Sequence, residues 1–208
     1  MAAAVESTGA DAGPIQMVDV MRFLEIEHKF VVPDDFDLAG FTASIEALQP
    51  LRRTALDVHD RYFLTRHGRQ QRYVIRHRFD AELHQLTLKS FGDDPETRTE
   101  VSLDLGHHAG DQAAAVDAFL QPQEVEWTGT IEKTIRVWYF ADCEVVHYSA
   151  SAGDRTISCV EFEAVHAASV EAALAVLDRY ERATGFAGRP RAMTSLVGLL
   201  FPGVLPGA

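Results

Sequence analysis

Between residues 23 and 165 the chain is a succession of short β-forming segments separated by tight turns, and this succession constrains the fold more than any other feature. The stretch Phe23-Leu24-Glu25-Ile26-Glu27-His28-Lys29-Phe30-Val31 alternates apolar and charged residues, the period of a strand with two unlike faces. Segments of the same kind follow at residues 58–64, 71–79, 83–90, 97–105, 131–141, 144–150 and 156–165. Turn-forming clusters such as Arg66-His67-Gly68, Asp80-Ala81-Glu82, Phe91-Gly92-Asp93-Asp94-Pro95 and Gly153-Asp154 separate them. Connections this short join antiparallel neighbours, and a sheet of about eight strands removes its exposed edges by closing on itself. Helical spacing appears at residues 36–48 after Asp35, at 111–120, at 192–200, and after Ser169. In the last of these helices Val170, Ala173, Leu174, Leu177 and Tyr180 form one stripe that ends at Gly185. The expected class is α+β, an eight-stranded antiparallel β-barrel with helices packed on the outside.

The placement of charge then narrows the function. Glu25, Glu27 and Lys29 share one face of the first strand, against Leu24, Ile26 and His28 on the other; Glu161 and Glu163 repeat the arrangement against Val160 and Phe162. Arg76 and Arg78 are two apart, as are Arg98 and Glu100, with Lys89 between the pairs. Polar-out alternation is the ordinary arrangement of an antiparallel sheet. Two features oppose it here. The only lysines, Lys29, Lys89 and Lys133, all fall on strands, whereas a solvating surface scatters lysine over helices and loops. The helices also carry apolar faces that need the other side of the sheet. With the charges inward, the lumen holds carboxylates beside guanidinium and ammonium groups, costly to bury unless something satisfies them. Carboxylates suit hard cations such as Mg²⁺ or Mn²⁺, and Arg and Lys suit phosphate oxygens. Together they describe a metal–polyphosphate site.

Composition supplies the remaining bounds. The 208 residues carry 19 Lys plus Arg against 31 Asp plus Glu, a net charge of -12 that speaks against general nucleic-acid binding. This length suits one domain, placed at residues 21–201, with a disordered leader over 1–20 and a tail over 202–208. The leader has neither the basic nor the apolar region of a secretory signal, and the apolar tail is too short and too broken by glycine and proline to span a bilayer. Cys143 and Cys159 are too few for a disulfide framework or a cysteine-based zinc site. They read as reduced thiols of a cytoplasmic protein, neighbours across a hairpin, with no clear partners for a catalytic thiol. His59, His67, His77 and His84 read as exposed, and His107-His108 as a surface loop.

The series Glu25-Ile26-Glu27-His28-Lys29, Asp60-Arg61-Tyr62-Phe63, Ile75-Arg76-His77-Arg78, Leu86-Thr87-Leu88-Lys89, Arg98-Thr99-Glu100, Arg136 and Glu161-Phe162-Glu163, with Ser195 near the end, resembles the signature of the CYTH, or triphosphate tunnel metalloenzyme, superfamily. The resemblance covers residues 21–201 and extends to its class IV adenylate cyclase and thiamine triphosphatase branches. It implies an eight-stranded barrel whose tunnel binds a triphosphate with Mg²⁺ or Mn²⁺. It also implies metal ligation by Glu25, Glu27, Glu161 and Glu163, with Glu100 as an outer ligand, and phosphate binding by Arg76, Arg78, Lys89, Arg98 and Arg136. Lys29 would contact the substrate or orient the attacking water, and Lys29, Arg76 and Arg136 would be the catalytic set.

The sequence departs from this pattern in three places. Val146-His147-Tyr148 stands where the family carries an Asp, which makes His147 a candidate ligand. Thr194 stands where a Lys is common, with Arg189 and Arg191 as substitutes. Lys133 and Arg136 are three apart, so on a regular strand only one faces inward, and Arg136 is the residue expected there. The expected function is metal-dependent hydrolysis of a triphosphate, inorganic or organic. The alternatives are a class IV-type adenylate cyclase making cyclic AMP from ATP and a non-catalytic polyphosphate or nucleotide sensor. The expected partner is a small-molecule triphosphate, with no membrane and no nucleic acid beyond an RNA 5′ end. A homodimer contact through the apolar residues 196–205 is also expected.

Overall fold

The computed structural model describes residues 24–80, 83–91, 94, 96–106 and 113–205. Its eight strands are β1 (Leu24–Val32), β2 (Arg52–Thr65), β3 (Tyr73–Phe79), β4 (His84–Ser90), β5 (Thr97–Asp104), β6 (Val125–Tyr139), β7 (Cys143–Ala152) and β8 (Arg155–Ala164). They close into a barrel in the order β1-β5-β4-β3-β2-β6-β7-β8, with antiparallel neighbours throughout. Every strand expected from periodicity is present. β2 and β6 begin earlier than expected because they pair with each other along almost their whole length, from Arg52↔Tyr139 to Thr65↔Val125. Arg66-His67-Gly68 opens a short helix, α2 (Arg66–Gln71), instead of a simple turn; the Thr65 hydroxyl accepts from the Gly68 amide at 2.8 Å and starts it.

Which face of each strand points inward depends on where the helices lie. α1 (Leu38–Ala47), capped by Asp37 rather than Asp35, and α4 (Val170–Thr184), capped by Ser169 as expected, cover the outer faces of β1, β7 and β8. There Ile26, Phe30, Val145, Val160 and Phe162 meet Phe41, Ile45, Leu177 and Phe186, all buried. Each such side chain contributes roughly 1.5–3 kcal/mol by leaving water. Along α4 the buried line is Ala173, Leu177 and Tyr180, while Val170 and Leu174 are turned outward and exposed. α3 (Ala113–Leu120) places Val116 and Leu120 over Phe63, Ile75 and Leu86. His77 and His84, expected at the surface, are buried, with their Nε2 atoms 3.1 Å apart. His59 and His67 are exposed as expected.

Over most of β6 the outer face is bare: Glu126, Glu132 and Arg136 are exposed. The apolar set of that strand therefore points inward, the reverse of β1 and β8. After α4 the chain crosses one end of the barrel as α5 (Leu196–Leu200). Leu196, Val197, Leu200 and Leu205 are buried there against Tyr62, Leu64, Val74, Ile131, Tyr148 and Ala150, so the lumen has an apolar floor. Of the apolar residues expected to serve a dimer contact, Leu196, Val197, Leu200 and Leu205 are packed into the chain's own barrel, and Leu199, Phe201 and Val204 are half-buried. No helix among the described residues is long and apolar enough to cross a membrane. The leader at 1–20 and His107-His108 lie outside the described residues.

Candidate active site

Above the floor lies a cavity of about 260 Å³ lined by most of the barrel's inward charges. β1 supplies Glu25, Glu27 and Lys29; β3 supplies Arg76 and Arg78; β4 and β5 supply Lys89, Arg98 and Glu100; β6 supplies Lys133; β7 and β8 supply Glu144, Glu161 and Glu163. The inward faces expected for β1, β3, β4, β5 and β8 are those observed, because strand alternation fixes them once the helices claim the other side.

The charges form a continuous network. Lys29 Nζ lies 3.0 Å from both Glu27 and Glu161, an ammonium held between two carboxylates. Lys89 Nζ reaches Glu25 at 3.0 Å and Glu100 at 2.6 Å. Arg98 pairs with Glu27 and approaches Glu25 at 3.4 Å. Arg76 donates to Thr87 and Glu100, both at 3.2 Å. Tyr148 donates to Glu161 at 2.8 Å. Apart from these, Asp60, wholly buried on β2, accepts two hydrogen bonds from Arg78 at 2.8 Å and stands 2.7 Å from Lys133.

The electrostatics divide the carboxylates. Burial alone pushes the Glu161 carboxyl up, but Lys29, the Tyr148 hydroxyl and Lys133 outweigh it and bring it down to about 2. Glu100 is likewise lowered against its burial by Lys89 and Arg76. Asp60 is held well below the ordinary range because Lys133 and Arg78 overcome its desolvation. Glu163 goes the other way: burial, then Glu25, Glu144 and Glu100, push its carboxyl well up. Burial also raises Glu144.

These observations bear on whether a hard cation suits the site. Glu163 is a half-buried carboxylate crowded by three others, and Glu25 Oε2 is buried with no hydrogen bond, facing Arg98 Nε at 3.4 Å. Both deficits are relieved by a divalent ion with oxygen preference. Among the described residues no three His, Cys, Asp or Glu side chains already converge as a metal cage. The fit therefore rests on donor chemistry: Glu25, Glu27, Glu161 and Glu163 could hold Mg²⁺ or Mn²⁺ by exchanging cationic side chains for the ion.

Several sequence expectations change. Lys133, not Arg136, faces the lumen; Arg136 is exposed on the outer face, because the uncovered side of β6 takes its polar residues. His147 is also on the outer face, opposite Arg136, and its ring stacks on Phe36 at 6.0 Å and 17°. It does not replace an inward Asp, and burial together with Arg136 lowers its pKa. The inward residues of β7 are Glu144, Val146 and Tyr148, so Glu144 is a site residue that the motif series missed. Cys143 and Cys159 are buried thiols in separate registers, opposite Ala164 and Tyr148, and are not cross-strand neighbours. Ser195 stands directly before the last helix, as expected, where it caps α5 and lines the cavity, whereas Arg191 pairs with Glu96 at 3.0 Å and Arg189 bonds the Gly185 carbonyl.

No protein-family model matches the sequence, and neither does any curated protein. Solved structures do match in fold. A Pyrococcus horikoshii protein aligns over 85% of this chain and 99% of its own, with a TM-score of 0.67 and 17% identity. A candidate adenylate cyclase from Bacillus halodurans aligns over 86% of this chain and 99% of its own, at TM-score 0.55 and 16% identity. A candidate adenylyl cyclase from Hippeastrum, described as having a dominant triphosphatase activity, aligns over 82% and 91%, at TM-score 0.51 and 15% identity. What these structures share with this chain is the fold, the closed eight-stranded antiparallel barrel expected from the sequence.

Proposed function

We propose that the chain is a divalent-metal-dependent phosphohydrolase that takes a triphosphate into the barrel. One observation carries this reading. One cavity brings together six cationic side chains, Lys29, Arg76, Arg78, Lys89, Arg98 and Lys133, with a group of glutamates of which Glu163 faces three like charges that Lys89 does not offset. A polyanion satisfies the first set and a hard cation the second.

Glu25, Glu27, Glu161 and Glu163 would hold Mg²⁺ or Mn²⁺, which supplies Lewis-acid polarisation of phosphate oxygens. Arg76, Lys89 and Arg98 bind the non-bridging oxygens and offset the charge that grows on them during transfer. Asp60 fixes the direction of Arg78 and Lys133 before substrate arrives, so the phosphate chain meets an ordered row of donors. Lys29, between Glu27 and Glu161, suits contact with the substrate at the phosphate nearest the carboxylates. A nucleotide cyclase is a second reading, because a candidate adenylate cyclase shares the fold. It would direct a ribose hydroxyl instead of water at the α-phosphate.

The test is release of orthophosphate and pyrophosphate from inorganic triphosphate, ATP and thiamine triphosphate, with Mg²⁺, Mn²⁺ or no metal. Wild type is compared with the Glu25→Gln, Glu27→Gln double variant. Metal-dependent orthophosphate release, lost in the double variant while its melting transition is kept, is the expected result. Pyrophosphate together with cyclic nucleotide identifies the cyclase. Turnover that survives the double substitution removes the cavity from consideration.

A further inference from the structure

We infer that Glu100 is a resident stand-in for phosphate, its carboxylate seated where phosphate oxygens would bind Arg76 and Lys89, so that an entering anion must displace it. The inference deepens the reading above and rests on it for one point, that these two cations bind phosphate. Glu100 on β5 lies directly opposite Lys89 on β4, and the next residue on that face of β4, Thr87, lies opposite Arg76 on β3. One carboxylate oxygen is 2.6 Å from Lys89 Nζ and the other is 3.2 Å from Arg76 Nη2. Two oxygens of one anion thus bridge two cations on neighbouring strands, the contact expected of a phosphoryl group there. Burial raises the Glu100 carboxyl, but Lys89 and Arg76 outweigh it and hold it well below the ordinary range, so it competes as a full charge.

The other carboxylates of the cavity have different partners. Glu27 and Glu161 hold Lys29, Glu27 and Glu25 hold Arg98, and Asp60 holds Arg78 and Lys133. Glu25 also shares Lys89 with Glu100. Engagement of Glu25, Glu27, Glu161 and Glu163 with a divalent ion, as proposed above, would release Lys29 and Arg98 and leave Lys89 to Glu100. Glu100 is outside that set and keeps its hold on Arg76 and Lys89. Asp60 is fully buried and cannot give way to a ligand, whereas the Glu100 side chain is 20% exposed, with Ser102 and Asp104 beyond it exposed to solvent. It is therefore placed to swing aside. An anion confined to Arg76 and Lys89 would exchange one set of charge-assisted contacts for another and gain little. One long enough to reach Arg98 as well gains contacts that Glu100 does not make. Glu100 then acts as a specificity residue, setting a threshold against small anions that includes the orthophosphate released by hydrolysis.

The experiment is calorimetric titration of orthophosphate, pyrophosphate and inorganic triphosphate, with Mg²⁺, into the full chain and its Glu100→Gln and Glu100→Ala variants. Glu132→Gln, on the exposed outer face of β6, controls for the loss of one negative charge anywhere in the chain. Orthophosphate should bind a folded Glu100 variant about tenfold or more tightly than wild type, because a resident charge-assisted contact no longer opposes it. Glu132→Gln should stay within about twofold, since solvent and salt screen a charge so placed. A counter-ion that served folding alone would not produce this gain. Orthophosphate affinity that is unchanged or weaker in both Glu100 variants overturns the inference while leaving the phosphohydrolase reading in place. So does loss of the folded state in both, read from melting curves, which would make Glu100 a structural counter-ion. Tighter orthophosphate binding in a protein that never turns over triphosphate supports the role of Glu100 and sinks the phosphohydrolase reading alone. Binding of none of the three anions to any of the proteins overturns both.

Discussion

Replacing Asp60 with asparagine should leave two buried cations without their counter-charge. The wild-type carboxylate accepts two hydrogen bonds from Arg78 at 2.8 Å and lies 2.7 Å from Lys133, with no exposure to water. The Asp60→Asn amide is nearly isosteric but retains one acceptor oxygen and turns an NH₂ group toward a cation. Removing one partner of a buried ionic cluster costs about 3–5 kcal/mol, because the charges left behind stay desolvated. At about 2–4 °C per kcal/mol for a chain of this size, the melting temperature should fall by roughly 10 °C. The pH dependence has a definite sign. The folded-state pKa of Asp60 is depressed, since Lys133 and Arg78 outweigh its burial. Its stabilising contribution is thus complete above the unfolded value, near pH 4, and is lost as pH falls through the folded value. Urea unfolding of both proteins from pH 7 to pH 2.5 should show a constant gap above about pH 5 that narrows below about pH 4. A gap under about 1 kcal/mol at neutral pH, where a buried pair should give several, would refute the reasoning. So would a gap that widens in acid.

Three further outcomes follow from the geometry. Lys133→Met should weaken triphosphate binding by about 10–100-fold, the loss of one charge-assisted contact, whereas Arg136→Met on the outer face should stay within about threefold; isothermal titration of both decides which side of β6 faces the ligand. Phe186→Ala removes a fully buried ring that lies 5.0 Å from Phe30 and 5.4 Å from Phe41, and should cost about 3–5 kcal/mol in denaturant unfolding. Gly185→Ala places a side chain at φ +76°, where an added Cβ meets nothing within 4 Å; the cost is conformational only, about 1–2 kcal/mol, and a neutral result would mean that α4 ends differently.

Alternation made the eight strands legible, and for β1 and β8 it also assigned the inward face, because those strands carry charge on one side and large apolar groups on the other. It failed on β6. There both faces hold a basic residue, Lys133 or Arg136, and the choice depends on whether a helix covers the outside. Coverage is a tertiary property: α1 and α4 shield β1, β7 and β8, and leave Glu126, Glu132 and Arg136 in water. The same rule would have exposed Glu144. It shares the parity of Val146 and Tyr148, which puts it in the cavity and His147 on the outside. Burial of His77 and His84 was illegible for a related reason, since what encloses the outer face of a strand is decided by tertiary packing.

The pairing of β1 with β8 has a kinetic consequence. Glu27 stands opposite Glu163, and Lys29 opposite Glu161, across more than a hundred residues of chain. Hairpins such as β3–β4 and β7–β8 close from local contacts, but this seam carries the entropy of a very long loop and so tends to form late. Two of the glutamates proposed to share a metal ion come from one side of the seam and two from the other. A barrel left open there would keep much of its secondary structure and yet have no complete site, so ligand binding would select for the last long-range contact of folding and hold it shut.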